Sequence, residues 1–190
     1  MNIDSLQEYL DRYEVFDIEN ILNSFKSINS EIEIFLKEKA INFEKSSISS
    51  TNLVFDNKGQ LVGYFTIANR SLIIPKEDLK TLSRTQLKKL SHSGAILRNG
   101  DLMTSSFLIA QVGKNYSIEE GNLITGNQLL TYVYELFLRI KKMINVKYLW
   151  LECQNEPKLI SLYKDFGFKI LENVISEEGL KVMIMELKYA

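Results

Sequence analysis

Apolar residues recur at helical spacing near the N-terminus: Ile18, Ile21, Leu22, Phe25 and Ile28 predict a helix over Asp17–Ile28. Ser30 and Glu33 then form a capping-box pattern, in which the Ser hydroxyl accepts from the N–H of Glu33 and the Glu side chain reaches back. A second helix follows, with Ile32, Phe35, Leu36 and Ala40 inward. After the polar stretch Ser46–Ser50 the period shortens to that of strands. Thr51–Phe55 and Gln60–Ala68 flank the turn Asp56-Asn57-Lys58-Gly59, and so short a connection predicts antiparallel pairing. Leu72–Ile74 reads as a continuation of the second strand beyond a bend at Asn69-Arg70-Ser71, and Pro75 closes it.

The second half alternates strand and helix. Asp78–Leu90 reads as one or two short helices, and Ser91–Asp101 as a polar connection. Ser106–Val112 is a strongly apolar strand. Gly126–Ile144 is a long amphipathic helix with Leu129, Leu130, Val133, Phe137, Ile140 and Ile144 on one side. Lys147–Cys153 is a near-continuous apolar run, which predicts a strand buried on both faces. Pro157 suits a first helical position, Leu159, Leu162, Tyr163 and Phe166 share a face, and Gly167 stands where a helix-ending glycine belongs. Strands near Phe168–Glu172 and Lys181–Lys188 complete the chain, around a turn at Glu177-Glu178-Gly179. The succession predicts a mixed α/β layer architecture, with a right-handed crossover if the strands flanking the long helix pair in parallel.

A chain of 190 residues is expected to form one domain burying roughly 70% of its unfolded surface. Within it, residues 1–50 are a helical N-terminal part and residues 75–103 a basic insertion. No run approaches the ~20 apolar residues of a membrane span, and the acidic start MNIDSLQEYLDRYE lacks the apolar core of a secretory signal. The lone Cys153 rules out an internal disulfide and suits a reducing cytoplasm; one Cys and one His fall short of a zinc site's ligand set, so no metal is expected. Charge is uneven. Residues 1–50 carry −5, while residues 75–98 carry +4, from Lys76, Lys80, Arg84, Lys88, Lys89 and Arg98 against Glu77 and Asp78. Such a segment either faces an anion, such as RNA phosphate, or is the solvated side of a helix.

Two stretches carry chemistry. The loop from Gly113 to Thr125 opens the long helix with Gly, Asn and Thr, and free N–H groups at a helix start favour phosphate; an ordinary helix capped by Thr125 or Asn122 has the same letters. The run Tyr163-Lys164-Asp165-Phe166-Gly167-Phe168 places a tyrosine four residues before Gly-Phe at a helix-to-strand junction, and also describes a core helix with an aromatic stripe. Together, in this order after an apolar strand, they resemble the GNAT superfamily of N-acetyltransferases over roughly Asn52–Tyr189. The loop departs from the family pattern, with Gly121 where Gln or Arg is usual and Ile124 where the first Gly is usual. Ser106-Phe107-Leu108-Ile109-Ala110-Gln111-Val112-Gly113 and the closing motif are similar to the GNAT toxins of toxin–antitoxin pairs and their relatives in Gram-positive bacteria.

The resemblance implies a mostly antiparallel sheet with a parallel strand pair splayed for acyl-CoA and helices on both faces. It implies acetyl-CoA as cosubstrate and an amine acceptor: aminoacyl-tRNA in the toxin-like branch, otherwise a small amine or protein amino group. An antitoxin and a homodimer are the partners it implies. It places Tyr163 beside the thioester sulfur as proton donor to the leaving thiolate. Backbone groups of Val112, Gly113 and Lys114 serve pantetheine and the oxyanion. Asn122, Thr125, Gly126, Asn127 and Gln128 serve the pyrophosphate, and Asn155 joins the cosubstrate contacts. Glu152 is the candidate base, directly or through water, against the alternative of a paired or exposed strand-end carboxylate. Glu156 reads as a helix cap, Cys153 and Trp150 as packing, and His92 as a surface residue. A CoA-binding module without activity and a plain α/β domain are the competing readings.

Overall fold

The computed structural model describes residues 1–119 and 124–188. The chain folds as two compact units, Met1–Ala68 with Ile109–Val133, and Asn69–Leu108 with the chain from Tyr134 onward.

In the first unit, β1 (Asn2–Ser5), β2 (Ser50–Phe55) and β3 (Leu61–Ala68) lie antiparallel in that order, followed by the later residues of β7 (Ser106–Lys114). The predicted hairpin is present, and Gly59 takes the positive φ of +78° its turn requires. Helix α1 (Leu6–Leu10) is capped by Ser5, whose hydroxyl accepts from Glu8 N–H at 3.1 Å. Helix α2 (Val15–Asn23) stops five residues short of the predicted end, leaving Ile28 79% exposed. The reason is non-local: Asn115 Oδ1 accepts from Lys26 N–H at 2.9 Å, and Tyr116 N–H donates to Lys26 O at 2.8 Å, so the backbone there is held outside a helix. The next helix runs as α3 (Ser30–Ile34), a π-helical turn (Phe35–Lys39) and α4 (Ala40–Lys45). Its cap is Asn29, one residue before the predicted Ser30, with Asn29 Oδ1 accepting from Glu31 N–H. Glu33 instead accepts from Ser27 N–H and from Lys37. Leu6, Ile18, Leu22, Phe25, Leu36 and Tyr64 centre the core.

In the second unit, β8 (Tyr148–Cys153), β10 (Lys181–Glu186) and β9 (Lys169–Ile175) follow the first residues of β7 in that order. The β7–β8 pair is parallel, as the family resemblance implies, and is registered from Ser106↔Tyr148 to Leu108↔Trp150, three residues of a nine-residue strand. The other pairings are antiparallel. The mixed, mostly antiparallel α/β architecture is thus present. A separate small sheet, β4 (Leu72–Ile74), β6 (Leu102–Thr104) and β5 (Gly94–Ile96), corrects two readings. Leu72–Ile74 does not extend β3 but pairs with β6, and the stretch read as a polar connection holds β5. Trp150 Nε1–H donates to Arg70 O at 2.8 Å and fixes the bend from the far end of the chain, a contact no local pattern encodes.

Helices α5 (Lys76–Leu79) and α6 (Arg84–His92) fill the predicted helical stretch, α6 with a complete capping box between Ser83 and Gln86. Helix α7 (Gly126–Met143) buries Leu129, Leu130, Val133 and Phe137. Among the described residues no helix is long and apolar enough to cross a membrane, and no group of three His, Cys, Asp or Glu is placed to hold a metal.

Candidate functional site

In the first unit the sequence-predicted residues gather where β7 ends and α7 begins. Val112 and Lys114 are half-buried and Gly113 is buried. A Cβ on Gly113 would meet Ile32 Cγ2 at 2.6 Å and Tyr64 Cε1 at 2.7 Å, so the glycine answers a packing need besides any ligand. Gly63 repeats the close approach from β3: its Cβ would stand 2.9 Å from Gly113 O. Lys114 Nζ lies 5.0 Å from the centre of the Tyr116 ring, a cation–π distance.

Thr125 caps α7. Its hydroxyl accepts from Gln128 N–H at 3.2 Å, while Gln128 Oε1 accepts from Thr125 N–H at 2.8 Å and from its hydroxyl at 3.0 Å. This reciprocal box takes up the N–H groups of Thr125 and Gln128, so Gly126 and Asn127 carry the donors a helix cannot satisfy itself. Gly121 and Asn122 lie outside the described residues. Sequence reading missed Asn115. It is 1% exposed and accepts from Lys26 N–H, Ser117 N–H and the Ser117 hydroxyl, while its amide donates to Leu61 O at 2.7 Å. The single signal available was an Asn just after an apolar strand, which also describes any turn.

In the second unit, α8 (Pro157–Phe166) brings Tyr163 to its last turns. Pro157 is at the helix start and Gly167 ends it at φ +120°, donating its N–H to Lys164 O at 3.0 Å and Tyr163 O at 3.2 Å. Phe168 N–H donates to Tyr163 O at 2.9 Å and its ring stands edge-on to Tyr163 at 5.8 Å. Tyr163 is 9% exposed. Burial pushes its phenol well above the usual tyrosine range, and Cys153 adds a smaller push in the same direction. Among the described residues no group hydrogen-bonds the Tyr163 hydroxyl. The side chain therefore holds a proton at neutral pH, with no acceptor for it among the described residues.

Cys153 is buried, with Sγ 3.7 Å from Met183 Sδ, and burial raises its thiol pKa, which leaves it an inert packing group. Glu152 is half-buried. Burial raises its carboxyl pKa first, Glu178 and Glu177 add to that, and Arg70 opposes it. Successive strand residues face opposite sides. Cys153, close enough to Tyr163 to act on its phenol, therefore lies on one side of β8, and Glu152 lies on the other with Trp150. Asn155 is exposed in the loop before α8. Glu156 occupies the cap position but its side chain makes no capping bond. His92 is exposed at the end of α6, and Arg84, Lys88 and His92, four residues apart, form one exposed stripe on it. Lys89 turns aside, its Nζ 3.8 Å from Glu186.

No family model and no curated protein matches the chain. Solved structures do. The chain is similar to AtaT complexed with acetyl-methionyl-tRNAfMet, at 16% identity over 97% of this chain and 94% of that one, with a TM-score of 0.65. It is similar to a tyrosine-to-phenylalanine mutant of KacT, at 17% identity over 98% and 94%, with a TM-score of 0.63. It is also similar to AtaTR bound with AcCoA, at 14% identity over 98% and 92%, with a TM-score of 0.59. At these identities the likeness is one of fold, and it extends over nearly the whole chain.

Proposed function

We propose that this protein is an acetyl-CoA-dependent N-acetyltransferase whose acceptor is the amino group of an aminoacyl-tRNA. The observation that carries the reading is Tyr163: a buried, protonated phenol without a hydrogen-bond partner among the described residues, in the last turn of a helix that ends at the Gly-Phe junction. A fold shared with structures holding AcCoA and acetyl-methionyl-tRNAfMet supports it.

The amine nitrogen attacks the thioester carbonyl. An N–C bond forms, the oxygen becomes negative, and the C–S bond breaks as the carbonyl returns. Backbone N–H groups of Val112, Gly113 and Lys114 steady the oxyanion and the pantetheine. The N–H groups of Gly126 and Asn127 at the α7 start hold the pyrophosphate with Asn122, Thr125 and Gln128 beside them, and Asn155 contacts the pantetheine arm. Tyr163 gives its proton to the leaving thiolate, and solvent restores it. The nitrogen becomes positively charged as it attacks, and Glu152 accepts its proton through water. The Arg84–Lys88–His92 stripe of α6 faces RNA phosphates. An antitoxin is the expected protein partner, by analogy with an AtaT structure bound to the C-terminus of AtaR.

The test is transfer of labelled acetyl from acetyl-CoA to charged tRNA. Tyr163→Phe is expected to lower kcat by ~10²–10⁴-fold with little change in acetyl-CoA affinity. Arg84→Glu with Lys88→Glu is expected to abolish tRNA labelling alone. Unchanged turnover in Tyr163→Phe removes the acid role. Labelled small amines with unlabelled tRNA overturn the acceptor.

A further inference from the structure

The second unit holds a groove of about 690 Å³ that has no part in the proposed acetyl transfer. Its floor is apolar: Leu90 of α6, Tyr148 of β8, Phe166 of α8, Leu171 of β9, and Ile184 and Met185 of β10. Its polar lining is unbalanced. Lys89, Lys169 and Lys188 contribute three cations, and among the described residues Glu186 is the one carboxylate in the lining. Glu186 is already answered, by Lys89 Nζ and Lys147 Nζ, each at 3.8 Å. Among the described residues Lys169 and Lys188 have no carboxylate partner. Ser83, Thr85 and Gln86 bring the first turn of the nine-residue α6 into the lining, and that turn contains no acidic residue to offset its dipole.

We infer that this groove docks a peptide segment of another protein in which apolar side chains alternate with carboxylates. Charge complementarity selects the occupant. The apolar floor asks for desolvated aliphatic or aromatic side chains, which a phosphate backbone does not carry. Lys89 is paired with Glu186, but Lys169 in β9 and Lys188 just after β10 are not, so they ask for more than one carboxylate, where a fatty acid has one. Recognition runs through side chains. β9 is the edge of its sheet, but Thr81 Oγ1 donates to Glu172 O at 3.1 Å and Gln86 Nε2 to Ile170 O at 3.5 Å, which occupies that edge. Two β9 carbonyls thus already face side chains of the α5–α6 segment, which disfavours strand addition at that edge, and the partner enters over the groove.

The experiment is selection of a displayed random-peptide library on the full chain, followed by fluorescence anisotropy with a synthetic peptide of the enriched sequence. Enriched sequences are expected to interleave Asp or Glu with Leu, Ile, Phe or Met. Lys169→Glu with Lys188→Glu is expected to weaken the peptide by about tenfold or more at low salt, with the melting temperature retained. No enrichment, enrichment of basic sequences, or binding indifferent to the double reversal overturns the inference. So does dodecanoate binding in the groove without peptide enrichment, which assigns it to fatty acids. Neither lysine has a place in the acetyl-transfer scheme. An acetyl-CoA-induced thermal shift in the double variant therefore reports on that scheme separately.

Discussion

Two side chains of the second unit have their protons pushed in the same direction by the same cause, with opposite consequences. Burial keeps Tyr163 a phenol, so it stays a donor across the neutral range. Burial also raises the Glu152 carboxyl, which makes it a stronger base once it ionises but delays that ionisation to higher pH. If Glu152 takes the ammonium proton, kcat/KM rises with pH through a value above the ordinary carboxylate range. Glu152→Gln is expected to remove that limb and leave only the limb set by the amine itself. Profiles recorded from about pH 4 to pH 8 distinguish the two, and superimposable profiles exclude the base. The tyrosine was legible from its spacing to Gly167-Phe168, because helix-ending glycines act locally. The environment of the carboxylate was not legible: Arg70, Glu177 and Glu178 come from two distant segments.

At the scale of elements, legibility followed length and periodicity. Helices α7 and α8 and strand β8 have long stripes or runs and local punctuation, and each lies within a residue or two of its predicted bounds. Strands β1, β4, β5 and β6 are three or four residues long, too short for a period to emerge, and their partners come from elsewhere. The end of β7 shows what such meetings cost a sequence. Gly113 is read from sequence as a backbone contact for a ligand, yet its missing Cβ also admits Ile32 and Tyr64, whose hydroxyl donates to Ile32 O at 2.6 Å and holds the ring in place. Gly113→Ala is expected to destabilise the fold by about 1–3 kcal/mol through overpacking. Calorimetry should show Tm lower by ~2–4 °C per kcal/mol for a chain of this size. An unchanged Tm would mean that Ile32 and Tyr64 give way freely.

For the molecule as a whole, acetyl-CoA is the ligand whose binding is expected to tie function to stability. A ligand that binds only the folded state stabilises it in proportion to RT ln(1 + [L]/Kd), about 2.7 kcal/mol at a hundredfold excess over Kd. The melting temperature should therefore climb with acetyl-CoA concentration. A flat response up to millimolar acetyl-CoA would sink the acetyltransferase and the CoA-module readings together. The amino-acid sequence by itself determined the order of the long elements, the antiparallel hairpin, the strand–helix–strand crossover and the position of Tyr163. Each of these is written in a period, a cap or a turn residue within a few positions of itself. Only the tertiary structure decided where α2 stops, that Leu72–Ile74 leaves the main sheet, that Asn115 is a buried hub and that the Tyr163 hydroxyl has no partner among the described residues. Those outcomes depend on side chains tens of residues apart, such as Asn115 meeting Lys26 or Trp150 meeting Arg70, and such meetings exist only once the chain has folded.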